Sequence, residues 1–173
     1  MKLSLKGRAL QWLAQREQSR SELRRKLMPH AVAEAEVAVA AAAAEGLPDP
    51  EHPTPGARVD ALLDWLEAHN YLSQARFVES RVHARSARFG NLRIRQELKH
   101  HQLALSSEAA QALRESELER ACAVLARKFA APPATPAERA RQARFLAGRG
   151  FSPEVIGRAL RRNGAGQHAT FDG

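Results

Sequence analysis

The sequence predicts an all-α protein of three tandem three-helix repeats stacked into an elongated or curved body. Three observations carry this. Apolar residues recur three and four positions apart in nine segments, the spacing of one face of an α-helix. Ser and Thr caps, some followed by glutamate, stand where several of these segments begin. Part of the pattern also repeats: aligning Leu98 with Leu146 places Gln102 on Gly150 and Leu103 on Phe151, and Glu22-Leu23 matches Glu97-Leu98. Three short helices are too few to bury a core alone, so such units stack and leave a long surface for a partner.

Leu5, Ala9, Trp12 and Leu13 share one side of a first helix, which ends near Arg16 to Gln18 at the capping box Ser19-Arg20-Ser21-Glu22. Leu23 and Leu27 give the inner face of a second, which Pro29 must close soon after, because proline interrupts the backbone hydrogen bonds. Residues 31–57 read as an insertion. Ala31 to Ala44 is nearly all alanine, valine and glutamate, a composition for a solvated helix, whereas Pro48, Pro50, Pro53 and Pro55 imply a stiff, extended linker.

Val59, Leu62, Leu63 and Leu66 mark the third helix, with Asn70-Tyr71-Leu72 as its exit. Ser73 caps a fourth, from about Gln74 to Arg88 and stopped by Gly90; the fifth begins near Asn91 with Ile94 and Leu98 inward. A short sixth starts at Ser106 or Ser107 and carries Ala109, Ala112 and Leu113, and a seventh presents Leu118, Ala121, Cys122, Leu125 and Phe129. Thr135-Pro136-Ala137-Glu138 opens the eighth, which Gly148 and Gly150 end. Ser152-Pro153 opens the ninth, with Ile156 and Leu160 inward and a stop at Asn163-Gly164-Ala165-Gly166. The units are therefore residues 1–72, 73–115 and 116–163, followed by a disordered tail, 164–173.

A length of 173 residues suits one domain or a few small units sharing a core. The chain is 44% hydrophobic and 27% charged, with only 5% aromatics, a mixture that favours helices. No apolar run approaches the roughly 20 residues needed to cross a bilayer, and Met1 to Lys6 lacks the apolar block of a signal peptide, so a cytoplasmic location is expected. The single Cys122 excludes an internal disulfide and agrees with a reducing compartment.

The net charge is +8 and the isoelectric point near 10.7, which attracts polyanions or acidic protein surfaces. Its distribution is uneven: roughly +6 over residues 1–30, −7 over 31–70, +5 over 71–105, zero over 106–131 and +4 beyond. Arg81, Arg85 and Arg88 lie at i, i+4 and i+7, and Arg93, Arg95 and Lys99 follow on the next helix. Arg24, Arg25 and Lys26 in the first unit, and Arg149, Arg158, Arg161 and Arg162 in the third, could continue one patch along a stack. Most charge runs are only solvated faces; segregation this strong favours a binding surface instead.

Catalytic constellations are absent: the sequence holds no phosphate loop, no His-Glu-x-x-His, no Cys-x-x-Cys and no Gly-x-Ser-x-Gly. Neither an enzyme nor a cofactor is expected. Cys122 could be a nucleophile, but its inner helical position favours packing. His100 and His101 could invite a metal, yet adjacent helical residues point about 100° apart and converge poorly on one ion. Trp12 and Trp65 could stack on bases; at amphipathic spacing the core is favoured.

Four ordered segments resemble the RecX family. Arg16-Glu17-Gln18-Ser19-Arg20-Ser21-Glu22-Leu23-Arg24-Arg25-Lys26-Leu27 resembles its N-terminal signature, Ser-x-x-Glu-Leu-x-x-Lys-Leu after an Arg and an acid. Tyr71-Leu72-Ser73-Gln74-Ala75-Arg76-Phe77 resembles its Gly-Tyr-Leu-(Ser/Asp)-Asp-x-Arg-Phe segment, and Gly90-Asn91-Leu92-Arg93-Ile94-Arg95-Gln96-Glu97-Leu98 its Gly-x-x-Arg-Ile-x-x-Glu-Leu segment. Arg149-Gly150-Phe151-Ser152 resembles the third-unit turn. Asn70 and Gln102 stand where the family has glycine, Gln74 where it has Asp, and the 31–57 insert exceeds its compact form; the first three bear on turn geometry.

The resemblance implies tandem three-helix repeats and a regulator, not an enzyme. It would lodge in the groove of the RecA filament on DNA, suppress ATP hydrolysis, co-protease activity and strand exchange, and favour disassembly. The thirteen basic residues named above rest on charge alone. The alternative is a monomeric protein that binds DNA directly, without sequence preference, through the same patch. Weak binding of that kind would lose affinity with salt at a log-log slope of about −0.9 per phosphate neutralised. Helix pairs such as the eighth and ninth suggest a helix-turn-helix, but no second helix displays the Asn, Gln and Arg cluster that reads bases.

Overall fold

The computed structural model describes residues 3–46, 48 and 53–165, and among these all regular structure is helical. The elements are α1 (Leu5–Gln15), α2 (Arg20–Ala44), α3 (Pro55–Ala68), α4 (Gln74–Ser86), α5 (Asn91–His100), α6 (Ser107–Lys128), α7 (Pro136–Gly148) and α8 (Pro153–Ala165). The chain divides into two compact units, Met1–Phe77 and Val78–Gly173. The expected disordered tail lies outside the described residues beyond 165, as do residues 47 and 49–52 of the proline segment.

In the first unit, Leu5 and Ala9 of α1, Leu23, Leu27 and Ala31 of α2, and Val59, Leu63 and Leu66 of α3 form one core with Leu72. Pro29 does not close the second helix. α2 runs through it for 25 residues, and Pro29 faces outward. Leu23, Leu27 and Ala31, at i, i+4 and i+8, are fully buried on one face, and that packing outweighs a proline cost of about 3 kcal/mol. The insertion is correspondingly smaller than 31–57. Ala31 belongs to the core, Glu34 accepts from Arg58 at 2.9 Å, and Thr54 caps α3 with Pro55 in its first turn.

A second correction concerns apolar length. By length and composition alone α2 could cross a membrane, because residues 27–44 carry only Glu34 and Glu36 as charges. Its N-terminal part carries Arg20, Arg24, Arg25 and Lys26 and packs against α1 and α3.

In the second unit, Ala121, Val124 and Leu125 of α6 pack with Leu146 of α7 and Val155, Ile156, Ala159 and Leu160 of α8 around Phe151. The sixth and seventh expected helices are one. Leu113, Glu117, Ala121 and Leu125 repeat every four residues and are all buried along α6, but the second position of this stripe is filled by a carboxylate, which breaks the apolar pattern in sequence. α7 opens with the expected capping box: Glu138 N–H donates to Thr135 Oγ1 and Thr135 N–H to Glu138 Oε2, both at 3.2 Å. α8 runs to Ala165, within the expected stop Asn163-Gly164-Ala165-Gly166.

Three helix ends share one geometry. The amides of Tyr71, Leu103 and Phe151 donate to the carbonyls five residues back, of Leu66, Leu98 and Leu146, at 2.9, 3.0 and 3.2 Å. In each turn the preceding residue is left-handed: Asn70 (φ 58°), Gln102 (φ 60°) and Gly150 (φ 79°). This is the Schellman arrangement, with an apolar residue turned back onto the helix it follows. The alignment of Leu98-Gln102-Leu103 with Leu146-Gly150-Phe151 is thus an alignment of turns.

Candidate partner-binding site

The last carbonyls of a helix have no partner within it and carry the negative end of its dipole. At the end of α4, Ser86, and through the loop after it, carbonyls meet arginines. Arg120 donates to Ser86 O at 3.2 Å and Phe89 O at 2.8 Å, Arg127 donates to Ala87 O, and Arg149 donates to Arg88 O at 3.2 Å. Four successive carbonyls, 86 to 89, are thereby satisfied by three guanidinium groups from α6 and the turn after α7.

The next step of the chain is held as firmly. Asn91 N–H and Nδ2 donate to the two oxygens of buried Glu117, each at 2.9 Å, and Arg120 also reaches Asn91 Oδ1 and, at 3.0 Å, Leu113 O. Burial pushes the Arg120 pKa down, against the opposing pull of Glu117. Gly90 N–H donates to Arg149 O at 2.9 Å and Leu92 N–H to Gly150 O at 3.1 Å, so the 87–90 loop is sewn to the turn after α7.

This framework presents Phe89 with cations around it. The guanidinium carbons of Arg93, Arg85 and Arg149 lie 4.4, 5.6 and 5.9 Å from its ring centroid, within cation–π range. Arg149 also sits 4.6 Å from the Phe145 centroid. A cleft of about 340 Å³ opens here, lined by Arg88, Phe89, Val124, Arg127, Lys128, Phe145 and Arg149. Arg85 and Arg93 share Glu97, at 3.0 and 3.9 Å. Arg88, Arg127, Lys128 and Arg149 have no carboxylate partner among the described residues, so the cleft is strongly positive.

Of the thirteen basic residues singled out in sequence, Arg85, Arg88, Arg93 and Arg149 gather here, and Arg81 lines an adjoining cleft with Arg85 and Arg93. Arg95 and Lys99 line a different, largely apolar cleft with Leu98, Leu103 and Leu105. On α8, Arg158 lies 3.9 Å from Glu154, Arg162 pairs with Glu119, and Arg161 is exposed. In the first unit Arg24 grips Asp60 at 2.8 and 3.2 Å and holds that carboxyl below its ordinary pKa. Lys26 donates to Gln18 Oε1 at 2.8 Å beneath Trp12, while Arg25 is exposed. Four acids of the 31–70 block enter such pairs, Asp60 with Arg24, Asp64 and Glu67 with Arg20, and Glu34 with Arg58.

Phe89, Phe145, Arg120, Arg127 and Lys128 were not legible as site residues. Only Phe89 left a signal, an aromatic outside the apolar periodicity between Arg88 and Gly90. Trp12 and Trp65 are half-buried against the first core, Lys6 lying 3.5 Å over Trp65. Cys122 packs beside the second core, where burial raises its pKa. His100 and His101 meet edge to face at 5.7 Å, and no three metal-ligating side chains gather among the described residues.

Comparison with known proteins decides the family. Regulatory protein RecX of Ralstonia nicotianae is 48% identical over 161 residues, covering 91% of this chain and 87% of that protein. The chain belongs to the RecX family. Regulatory protein RecX of Leptothrix cholodnii is likewise 48% identical, covering 92% and 88%, and that of Neisseria meningitidis serogroup B is 34% identical over 173 residues, covering 98% and 94%. A family model described as the RecX third three-helix domain matches residues 115–160, which hold the C-terminal part of α6, α7 and most of α8. These RecX relatives are named regulatory proteins. Within that RecX domain lie Val124, Arg127, Lys128, Phe145 and Arg149, most of the wall of the Phe89 cleft.

Proposed function

We propose that this RecX-family chain is a non-enzymatic regulator that binds the RecA filament on DNA, inhibits its ATPase, co-protease and strand-exchange activities, and favours its disassembly. The observation that carries the reading is the Phe89 cleft, where four cations without carboxylate partners among the described residues stand on a scaffold fixed by backbone hydrogen bonds. A guanidinium already held against a ring or a carbonyl loses little freedom on docking, so the cleft is suited to a large anionic surface. The regulatory name of the relatives and the ordered sequence motifs supply the partner. Organisation into repeats at 1–72, 73–115 and 116–163, action as a monomer and a cytoplasmic working place belong to the same proposal.

The test is single-stranded-DNA-dependent ATP hydrolysis by RecA of the same organism, with this protein titrated in. Hydrolysis should fall as the protein approaches stoichiometric amounts. Undiminished hydrolysis at and beyond that point would overturn the reading.

A further inference from the structure

The Phe89 cleft does not stand alone. Phe145 meets Phe129 edge to face at 5.3 Å, and Arg141 lies 5.9 Å from the Phe129 centroid. Rings and guanidiniums therefore follow one another along a strip from Arg93 and Phe89 through Arg149 to the Phe145–Phe129 pair and Arg141. At its far end a second cleft, of about 250 Å³, shares Lys128 with the first and is lined by Phe129, Pro132, Arg141, Gln142 and Glu138, whose Oε2 accepts from the Ala134 and Thr135 amides. Gln142 is only 3% exposed. Its Nε2 donates to Ala131 O at 3.3 Å, but its buried Oε1 has no hydrogen-bond partner among the described residues.

We infer that this strip is a docking track for an extended, acidic peptide segment of a partner protein. Two features favour a peptide over a nucleic-acid strand. Single-strand binders stack bases on aromatic rings, yet each of these three rings already has a guanidinium carbon of this chain near it, 4.4, 4.6 and 5.9 Å from its centroid. Arg93 and Arg149 already donate to Gly148 O and Arg88 O, but Arg141 is exposed and has no carboxylate partner among the described residues, so its N–H edge is left to take a carboxylate in a two-pronged bond. The orphaned Gln142 Oε1 then asks for a donor, and a peptide backbone offers one N–H per residue, whereas phosphates offer none. The inference deepens the regulatory reading and rests on it for the identity of the partner, but it can be tested without RecA.

A fluorescein-labelled peptide of repeated Asp-Glu-Phe-Gly should bind the intact protein in an anisotropy titration. Replacing its acids with Asn and Gln should weaken binding at least about tenfold, and so should Arg141→Gln in the protein. Gln142→Leu should weaken binding about tenfold while leaving the melting temperature unchanged or higher, since it removes a buried acceptor without a partner. Arg141 is exposed, so its variant tests the track even if the Gln142 variant folds poorly. The inference is overturned if the acidic and neutral peptides bind alike, or if both variants bind as the parent protein does. It is also overturned if an oligothymidylate of matched charge displaces the peptide more effectively than unlabelled peptide. Failure here with intact inhibition of RecA would sink the acidic-peptide track and leave the regulatory reading standing.

Discussion

The Gly90 amide donates to the Arg149 carbonyl across 2.9 Å, and the approach is so close that a Cβ on Gly90 would stand 2.3 Å from Gly150 O and from Phe151 N. A Cβ on Gly150, at φ +79°, would stand 2.5 Å from Arg93 Cβ. Both obstacles are backbone or branch-point atoms with no room to yield. Gly90→Ala is therefore expected to cost about 3 kcal/mol or more in urea unfolding, far beyond the usual price of an alanine in a loop. An unchanged midpoint would refute the contact.

Arg120 is the hub that serves three carbonyls and the Asn91 side chain beside buried Glu117. Arg120→Met keeps much of the side-chain volume but leaves these acceptors and the Glu117 carboxylate without their cation. A loss of about 3 kcal/mol is expected, with the 86–91 amides exchanging hydrogen faster. Retained stability and protection would show that water replaces the guanidinium there.

Reversing charge at the cleft separates docking from folding. Arg85 is a poor choice, since a glutamate there would face Glu97. Arg88 and Lys128 are exposed, and neither side chain has a carboxylate partner among the described residues. The double variant Arg88→Glu, Lys128→Glu should lose inhibition of the RecA ATPase with its circular dichroism unchanged and its stability within about 0.5 kcal/mol per site. Full inhibition by the variant would move the contact surface elsewhere.

The insert should be removable only in part. Deleting residues 37–53 and joining Glu36 to Thr54 with a short flexible linker spares Ala31, which is 0% exposed, and the Glu34–Arg58 pair. That deletion should shift the melting temperature by no more than a few degrees. Deleting 31–57 removes the buried Ala31 and the first turn of α3, and should melt distinctly lower. Equal melting of the two would show that Ala31 contributes nothing.

Cys122 offers a pH test. Burial is the main cause of its raised pKa, followed by the opposing attraction of Arg162 and then Glu119. The folded thiol thus holds its proton more tightly than the unfolded one. Its stabilising contribution is complete below the unfolded pKa and is lost as pH rises through the folded value. At pH 8 iodoacetamide should modify the folded protein several-fold more slowly than a free cysteine, and urea should abolish the difference. Equal rates in both states would contradict the burial.

Sequence periodicity and caps placed most helices because those signals are local: Ser19, Ser73, Ser106, Thr135 and Ser152 each accept from an amide three residues on, whatever the rest of the chain does. The Leu98 and Leu146 turns were legible for the same reason. Pro29 and the α6 junction misled, since there local preference loses to burial along one helical face, by Leu23, Leu27 and Ala31 in one case and around a satisfied Glu117 in the other.

The sequence by itself determined an all-α chain, where most of its helices begin, and a surplus of positive charge in separated blocks. Only the tertiary structure decided which of those charges matter at a cleft. Arg24 and Arg162 are answered by Asp60 and Glu119, residues 36 and 43 positions away, and Arg149 reaches a carbonyl 61 positions away. Charge is a property of composition, but its neutralisation depends on which groups come within a few ångströms, and at such separations only packing decides that.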